Sequence, residues 1–257
     1  MRLSYMETAF WYGCALRVAG VPAGAVYAAI RMMQWADFRH GFGVPYFERR
    51  RPTFRADVSA LRLVDDTAIE AGGLTSLIAG PLLLDRATVA AKRDGRATVT
   101  ATGIADCGWL GHLAAQAAKR GLAAHLSFRG EGADAADLDA LYSRDRTVIA
   151  LPADPAPWWI EIDKAFGDLA SSNEMRAPGA VLTCVDPVRH PGYADTVRAA
   201  ARNAGATICA PDEVAKDDWV KMRDGWDVDD ADWRSLAEFG FGVLAESTER
   251  SLRSAGA

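Results

Sequence analysis

Residues 147–162 read TVIALPADPAPWWIEI and predict two adjacent antiparallel strands. The runs 147–151 and 158–162 are rich in β-branched and aromatic residues, which favour strands. The residues between them, 152–157, include three prolines. This connection is long enough for a hairpin and too short for the helical crossover that parallel strands need. At least part of the sheet is therefore expected to be antiparallel.

The rest of the chain alternates between helical and extended patterns. Ser4 and Glu7 form a capping-box pattern before a helix, and Pro22 suits the first turn of a second helix. The patterns predict helices at 5–18, 22–39, 82–92, 110–120, 193–203 and in the tail from 211, and strands at 57–64, 98–102, 123–128, 147–151, 158–162 and 181–185. The predicted fold class is α/β (α+β), with a mixed, partly antiparallel sheet flanked by helices and a loop at 41–45.

Composition excludes several classes of protein. The chain has 257 residues, of which 50% are hydrophobic and 25% charged, and a formal net charge of -5, so a broad basic surface for nucleic acid is not expected. The uncharged stretch 71–84 is too short to span a bilayer, and 8–16 lacks the basic flank of a signal peptide. We expect a cytoplasmic protein with no membrane or nucleic-acid partner. Its one compact unit would comprise a helical segment at 1–56, an α/β core at 57–210 and a helical segment at 211–257.

The two ends of the chain carry opposite charge. Residues 1–55 hold eight arginines and three acids, whereas residues 210–235 hold nine acids and four bases. These segments are expected to pack against each other or across a subunit interface. The four cysteines are widely spaced and lack the pattern of a zinc site, which predicts buried thiols and no metal: Cys14, Cys107, Cys184 and Cys209.

The glycine-rich turn at 103–111, GIADCGWLG, lies between a predicted strand and a predicted helix. Backbone amides at the start of a helix can hold an anion. The spacing of the glycines matches neither the dinucleotide fingerprint nor the phosphate-binding loop. A turn that binds no ligand explains the stretch equally well.

Two further positions suggest acid–base chemistry. His40 follows Arg39 at the end of a predicted helix, where the helix dipole favours protonation of the ring and the guanidinium can hold a carboxylate. Glu161 and Asp163 point to the same face of a strand as Trp159, so that their pKa values can shift each other. A structural histidine and a solvated strand edge are the alternatives.

In order along the chain, several segments resemble the malate/L-lactate dehydrogenase-like family, the sulfolactate dehydrogenase type of NAD(P)-dependent oxidoreductase, which has no Rossmann fold. The matching segments are 36–41 (ADFRHG), 45–49 (PYFER), 73–74 (GL), 106–111 (DCGWLG), 147–152 (TVIALP), 158–161 (WWIE), 181–187 (VLTCVDP) and 210–233. They extend over most of the chain, although no motif is intact. The chain is therefore identified as a shortened, divergent relative of that family.

The resemblance implies roles for particular residues. His40 takes the position of the family's catalytic acid, Glu161 that of its catalytic aspartate, and Asp106 that of a site histidine. Arg39 or Arg49 would hold the carboxylate of a small anionic substrate. The resemblance also implies a homodimer, because the family's sites lie near a subunit interface.

The departures concern the cofactor. Only residues 164–178 stand where the family carries a longer segment that helps to build the nucleotide site. The family nucleotide site is therefore expected to be largely lost, which argues against NAD(P) binding, and no cofactor-binding residue is assigned. We expect a protein that acts on or binds a small 2-oxo, 2-hydroxy or cyclic imino acid. The alternatives are a non-catalytic metabolite-binding or partner subunit and an NAD(P)-dependent reductase with a reduced cofactor site.

Overall fold

A mixed sheet forms the centre of the protein. The computed structural model describes residues 1–129, 146–162 and 179–243. The strands within these ranges are β1 (Arg2–Leu3), β2 (Arg62–Leu63), β3 (Ala68–Glu70), β4 (Arg96–Thr102), β5 (Ala123–Arg129), β6 (Arg146–Leu151), β7 (Trp158–Ile162), β8 (Gly179–Val185), β9 (Thr207–Cys209) and β10 (Trp226–Asp227).

Eight of these described strands form one sheet in the order β2-β3-β4-β8-β5-β6-β7-β9. Strands β3 and β4 pair in parallel, and the other pairings are antiparallel. The predicted hairpin is confirmed, with Val148 of β6 opposite Glu161 of β7. The mixed, partly antiparallel sheet is also confirmed. Strands β1 and β10 form a separate antiparallel pair.

Helices cover both faces of the sheet. They are α1 (Tyr5–Val18), α2 (Ala23–His40), α3 (Gly43–Arg50), α4 (Ser76–Asp94), α5 (Gly111–Lys119), α6 (Tyr193–Asn203), α7 (Pro211–Asp224) and α8 (Asp230–Gly240). The capping box at Ser4 and Glu7 is present, and α2 begins directly after Pro22, as the sequence predicts. None of the helices in the described ranges is long and apolar enough to cross a membrane.

Several elements differ from the sequence-based prediction, which did not include the short strands β1, β3, β9 and β10. The segment 57–64 contains a single 3-10 turn, Val58–Ala60, followed by the two-residue strand β2. Helix α4 begins at Ser76 rather than 82, because the Thr75 side chain accepts a hydrogen bond from the Leu77 amide and caps the helix. The expected loop at 41–45 includes the start of α3, where Pro45 occupies a first-turn position that needs no amide hydrogen.

The two faces of the sheet pack against different helices. Alternate residues of the hairpin, such as Ile149 and Ile160, belong to a small apolar cluster with Val197 of α6. Their neighbours in sequence, including Val148 and Trp159, belong to the larger cluster, which also includes residues of α1 to α5. This alternation determines which hairpin side chains face α2 and can meet His40.

The oppositely charged ends of the chain meet within the molecule. The amino group of Met1 lies in contact with Asp230 of α8 and donates a hydrogen bond of 2.7 Å to the Val228 carbonyl oxygen. The four cysteines remain as thiols. Cys14, Cys107 and Cys184 are buried, as expected, whereas Cys209 is partly exposed.

Candidate active site

The carboxylate of Glu161 is the centre of a polar cluster on the α2 side of the sheet. Its Oε1 accepts a hydrogen bond of 2.6 Å from the Trp159 indole nitrogen and lies 3.4 Å from Nε2 of His40. Its Oε2 lies 3.4 Å from Nη2 of Arg146. The structure therefore brings together His40 and Glu161, the two residues that the resemblance places in one catalytic site, and adds Arg146 beside them.

His40 is held by the end of helix α2. Gly41 has a φ of 71°, and its amide donates to the Asp37 carbonyl oxygen, so the helix ends directly after His40. The imidazole packs between aromatic rings, with centroid distances of 5.3 Å to Trp35 and 5.6 Å to Phe42. Its side chain is only 15% exposed. These contacts fix the ring next to the carboxylate.

Burial controls the protonation of His40. It lowers the pKa of the ring from 6.5 to about 4, even though the Glu161 carboxylate raises it. The positive charges of Arg146, Arg39 and Lys221 lower it further. The end of the helix was expected to favour protonation of this ring, and burial acts in the opposite direction. His40 is neutral at pH 7.

Arg39 connects α2 to α7. Its two terminal nitrogens form ion pairs with neighbouring carboxylates of α7, at 3.1 Å to Asp217 and in close contact with Asp218. Lys221, one turn further along α7, contacts Asp217 at 2.9 Å and the Phe38 carbonyl oxygen. These contacts favour a role in packing for Arg39 over the expected role in binding a substrate carboxylate.

The structure places Arg49 and Asp106 in different surroundings. Arg49 is exposed near the end of α3; burial raises the pKa of Asp232 in α8, and the Arg49 charge opposes that rise. Asp106 is 2% exposed and accepts hydrogen bonds from the Ser76 amide at 2.8 Å and the Ser76 hydroxyl at 2.5 Å. Burial raises its pKa. Asp106 therefore links the turn at 103–111 to the start of α4 by hydrogen bonds. This structural role accounts for the residue without a bound substrate.

The glycine-rich turn uses its amides within the protein. The amides of Cys107 and Gly108 both donate to the Tyr46 hydroxyl at 3.3 Å. A Cβ atom on Gly108 would lie 2.5 Å from the Tyr46 ring, so a glycine is needed for this approach. These two amides are therefore already engaged by a side chain of the protein. Among the described residues, no group of three histidine, cysteine or acidic side chains could hold a metal ion.

Arg146 and the tryptophans were not selected from the sequence. The register of the hairpin could have indicated Arg146. This residue lies two positions before Val148, which pairs with Glu161. Residues two apart on a strand share a face. Asp163, which was expected to share a strand face with Glu161, lies outside the described residues.

The fold is that of the malate and sulfolactate dehydrogenase-like structures. Malate dehydrogenase from Pyrococcus horikoshii OT3 superimposes with a TM-score of 0.70 at 12% identity, covering 96% of this chain and 97% of that chain. Sulfolactate dehydrogenase from Methanocaldococcus jannaschii gives a TM-score of 0.70 at 14% identity, with 96% and 98% covered. Delta1-piperideine-2-carboxylate reductase from Pseudomonas syringae pvar. tomato gives 0.53 at 12% identity, with 93% and 99% covered.

The similarity is one of fold. No protein-family model and no curated protein matches the sequence. Identities of 12–14% with the three structures leave function to be argued from the site itself. The fold agrees with the resemblance that the order of short segments indicated.

Proposed function

We propose that this protein is an enzyme acting on a small 2-oxo, 2-hydroxy or cyclic imino acid, with His40 as the proton-transferring residue and Glu161 as its orienting carboxylate. The observation that carries the proposal is the distance of 3.4 Å between His40 Nε2 and Glu161 Oε1. A histidine next to a buried carboxylate is a recurrent arrangement for acid–base catalysis, because the carboxylate fixes the tautomer and the orientation of the ring.

The surroundings of the pair suit proton removal. We assign the proton of the neutral ring to Nε2, which faces Glu161 Oε1 at 3.4 Å. Trp159 and Arg146 contact the same carboxylate and keep it oriented. A His40 pKa of about 4 keeps the ring unprotonated at neutral pH, which is the form that a proton acceptor needs.

The substrate class is supported by the names of the structural neighbours. Malate and sulfolactate are 2-hydroxy acids, and delta1-piperideine-2-carboxylate is a cyclic imino acid. We infer a small anionic metabolite of this kind for the present chain. A cytoplasmic homodimer belongs to the same proposal, with the four thiols as support for a reducing compartment. Light scattering of the purified protein tests the dimer.

No step is assigned to NAD(P). The neighbours include dehydrogenases and a reductase, but the turn at 103–111 satisfies its Cys107 and Gly108 amides with Tyr46. The role of His40 concerns a proton and stands with or without a hydride carrier. The engagement of the Cys107 and Gly108 amides by Tyr46 favours a second candidate function, a non-catalytic metabolite-binding or partner subunit.

A thermal-shift screen followed by turnover assays tests the proposal. The full chain is mixed with 2-oxo, 2-hydroxy and cyclic imino acids, each with and without NADH or NADPH, because a ligand of the native state raises its melting temperature. Compounds that bind are then incubated with the protein, and products are identified by mass spectrometry. We expect turnover of at least one such acid.

Two variants then locate the chemistry. His40→Gln is expected to lower kcat about 100-fold or more with binding retained, since general acid–base groups contribute about 10²–10⁴-fold. Glu213→Gln, an exposed charge at the start of α7, is the control and should leave kcat unchanged. Equal turnover by wild type and His40→Gln would overturn the proposal. Binding without turnover in the wild type would establish the partner-subunit alternative instead.

A further inference from the structure

A cleft of about 160 Å³ lies beside the His40–Glu161 pair but is not lined by either residue. Helices α2, α5 and α7 form its sides, and the end of the β6–β7 hairpin closes it. The α2 residues that line it include Arg31, Trp35 and Phe38, whose spacing of four and three positions places them on one helical face. The wall that α2 contributes to the cleft thus consists of residues that recur at helical spacing.

The walls of the cleft are largely aromatic and aliphatic. The rings of Trp35 and Trp159 pack against each other in a tilted arrangement with centroids 5.4 Å apart, and Phe38 and Val214 extend the apolar surface. A cavity of about 150 Å³ can accommodate a benzene molecule. The cleft therefore has room for a single aromatic ring, and it is far too small for a dinucleotide.

Positive charge surrounds this apolar space. Arg31, Arg39 and Lys119 line the cleft, against the single carboxylate of Asp218, which is paired with Arg39. Within the described ranges, Arg31 and Lys119 form no ion pair. Arg31 lies 5.2 Å above the Tyr5 ring, and partial burial lowers its pKa, which shows that its charge is incompletely solvated. A ligand carboxylate would supply the missing counter-charge.

Two polar atoms at the cleft also lack partners. Gln34 is 3% exposed, and its Nε2 donates to the Tyr5 carbonyl oxygen at 2.8 Å, but its Oε1 has no donor among the described residues. The buried Tyr5 hydroxyl likewise has no described partner. Buried polar atoms are almost always hydrogen-bonded in folded proteins. Both residues line the cleft, and a ligand carboxylate can accept a hydrogen bond from the Tyr5 hydroxyl.

We propose that this cleft binds an aromatic monocarboxylic acid, with the ring against the apolar wall that Trp35, Trp159 and Val214 form and the carboxylate at Arg31. The site is distinct from the proposed reaction site. Trp35 contacts the His40 ring and Trp159 holds the Glu161 carboxylate, so both tryptophans connect the two sites. A ring bound in the cleft contacts the side chains that position the pair.

Calorimetric titration of the full chain with phenylacetate tests the site. Phenylacetate has one ring and one carboxylate, whereas phenylacetamide lacks the charge and acetate lacks the ring. We expect saturable binding of phenylacetate, at least tenfold weaker binding of phenylacetamide and none of acetate. Absence of phenylacetate binding, or equal binding of the charged and neutral probes, would refute the proposal.

Matched variants locate the binding. Arg31→Gln is expected to weaken phenylacetate binding at least tenfold. Arg198→Gln is the control, because Arg198 also lies over an aromatic ring, 4.6 Å from the Trp158 centroid, but does not line the cleft. Ala115→Phe, which fills the cleft from α5, should abolish binding even if Arg31→Gln folds poorly. Unchanged binding in Ala115→Phe would place the ligand elsewhere and overturn the inference.

Discussion

His40 shows how burial and charge compete at one side chain. The Glu161 carboxylate favours the protonated form of the ring. Desolvation and the charges of three nearby cations favour the neutral form, and their combined effect is the larger. The neutral ring is a consequence of the aromatic surroundings as much as of the charges. Removing the carboxylate should therefore shift the balance further in the same direction.

Glu161→Gln is expected to lower the pKa of His40 below the wild-type value of about 4. The glutamine is similar in size but lacks the charge that raises this pKa. Histidine chemical shifts followed by NMR over an acid titration measure the effect. Asp195→Asn, which removes an exposed charge on α6, serves as the control. A His40 pKa near 6.5 in the wild type would contradict the prediction.

Gly111→Ala is expected to destabilise the protein by about 1–3 kcal/mol, because overpacking a buried contact carries such a cost. A Cβ atom at this position would lie 2.2 Å from Cη2 of Trp35. Gly24→Ala is the matched control in α2, since nothing lies within 4 Å of its added Cβ. That change should stabilise the protein by roughly 0.5 kcal/mol. Urea unfolding of both variants gives the comparison, and equal effects would contradict it.

The sequence was informative about the site only where residue type alone carries meaning. His40 and Glu161 stand out as titratable groups at the end of a helix and on an apolar strand, and they meet in the structure. The partners of Arg39 could not be inferred, because its two aspartates lie in a helix almost 180 residues away. Asp106 looked like a site residue, and its contact with Ser76 depends on how two distant turns pack.

At the scale of elements, the Arg39 ion pairs connect the end of α2 to α7. Arg39→Gln should loosen α7 and raise amide exchange there, with a loss of stability of about 1 kcal/mol, since both carboxylates are partly exposed. Arg223→Gln is the control, because Arg223 pairs with Asp224 on the same helix. Hydrogen exchange read by mass spectrometry distinguishes them. Identical amide exchange of α7 in the two variants would show that the Arg39 ion pairs do not stabilise this helix.

The sequence patterns predicted the long helices and strands but not the short ones. The strands of the hairpin and helices α1, α2 and α6 agree closely with the patterns that predicted them. Helix α3 was missed because glycine and proline normally indicate a loop, whereas here the Asp37 carboxylate accepts the Val44 amide at 3.1 Å and caps the first turn. Such a cap depends on tertiary structure and leaves no local signal.

The stability of the whole molecule should depend on pH in two opposing ways. Burial lowers the pKa of His40 to about 4 and that of His112 to about 3, from 6.5. The unfolded chain therefore binds more protons below pH 6.5, and the free energy of unfolding falls as the pH drops towards 4 and 3. Burial raises the pKa of Asp37 from 3.8 to about 7, so its contribution is present in acid and is lost as the pH rises towards 7.

Asp37→Asn separates the two effects. The asparagine stays neutral and can still accept the Val44 amide, so the Asp37 contribution disappears while the histidine contributions remain. Relative to wild type, the variant should gain stability steadily between pH 4 and 7. Urea unfolding at half-unit pH intervals measures this difference, and parallel curves for the two proteins would contradict the assignment.

The position of β8 between β4 and β5 has a consequence for the order of events during synthesis. β4 and β5 follow each other along the chain, yet each pairs with a strand that begins at Gly179. A ribosome adding about 5–20 residues per second needs roughly 2–10 s to pass from the end of β5 to that point. During that interval the nascent chain carries two unjoined sheet edges, which are the surfaces that a chaperone or a neighbouring chain would meet first.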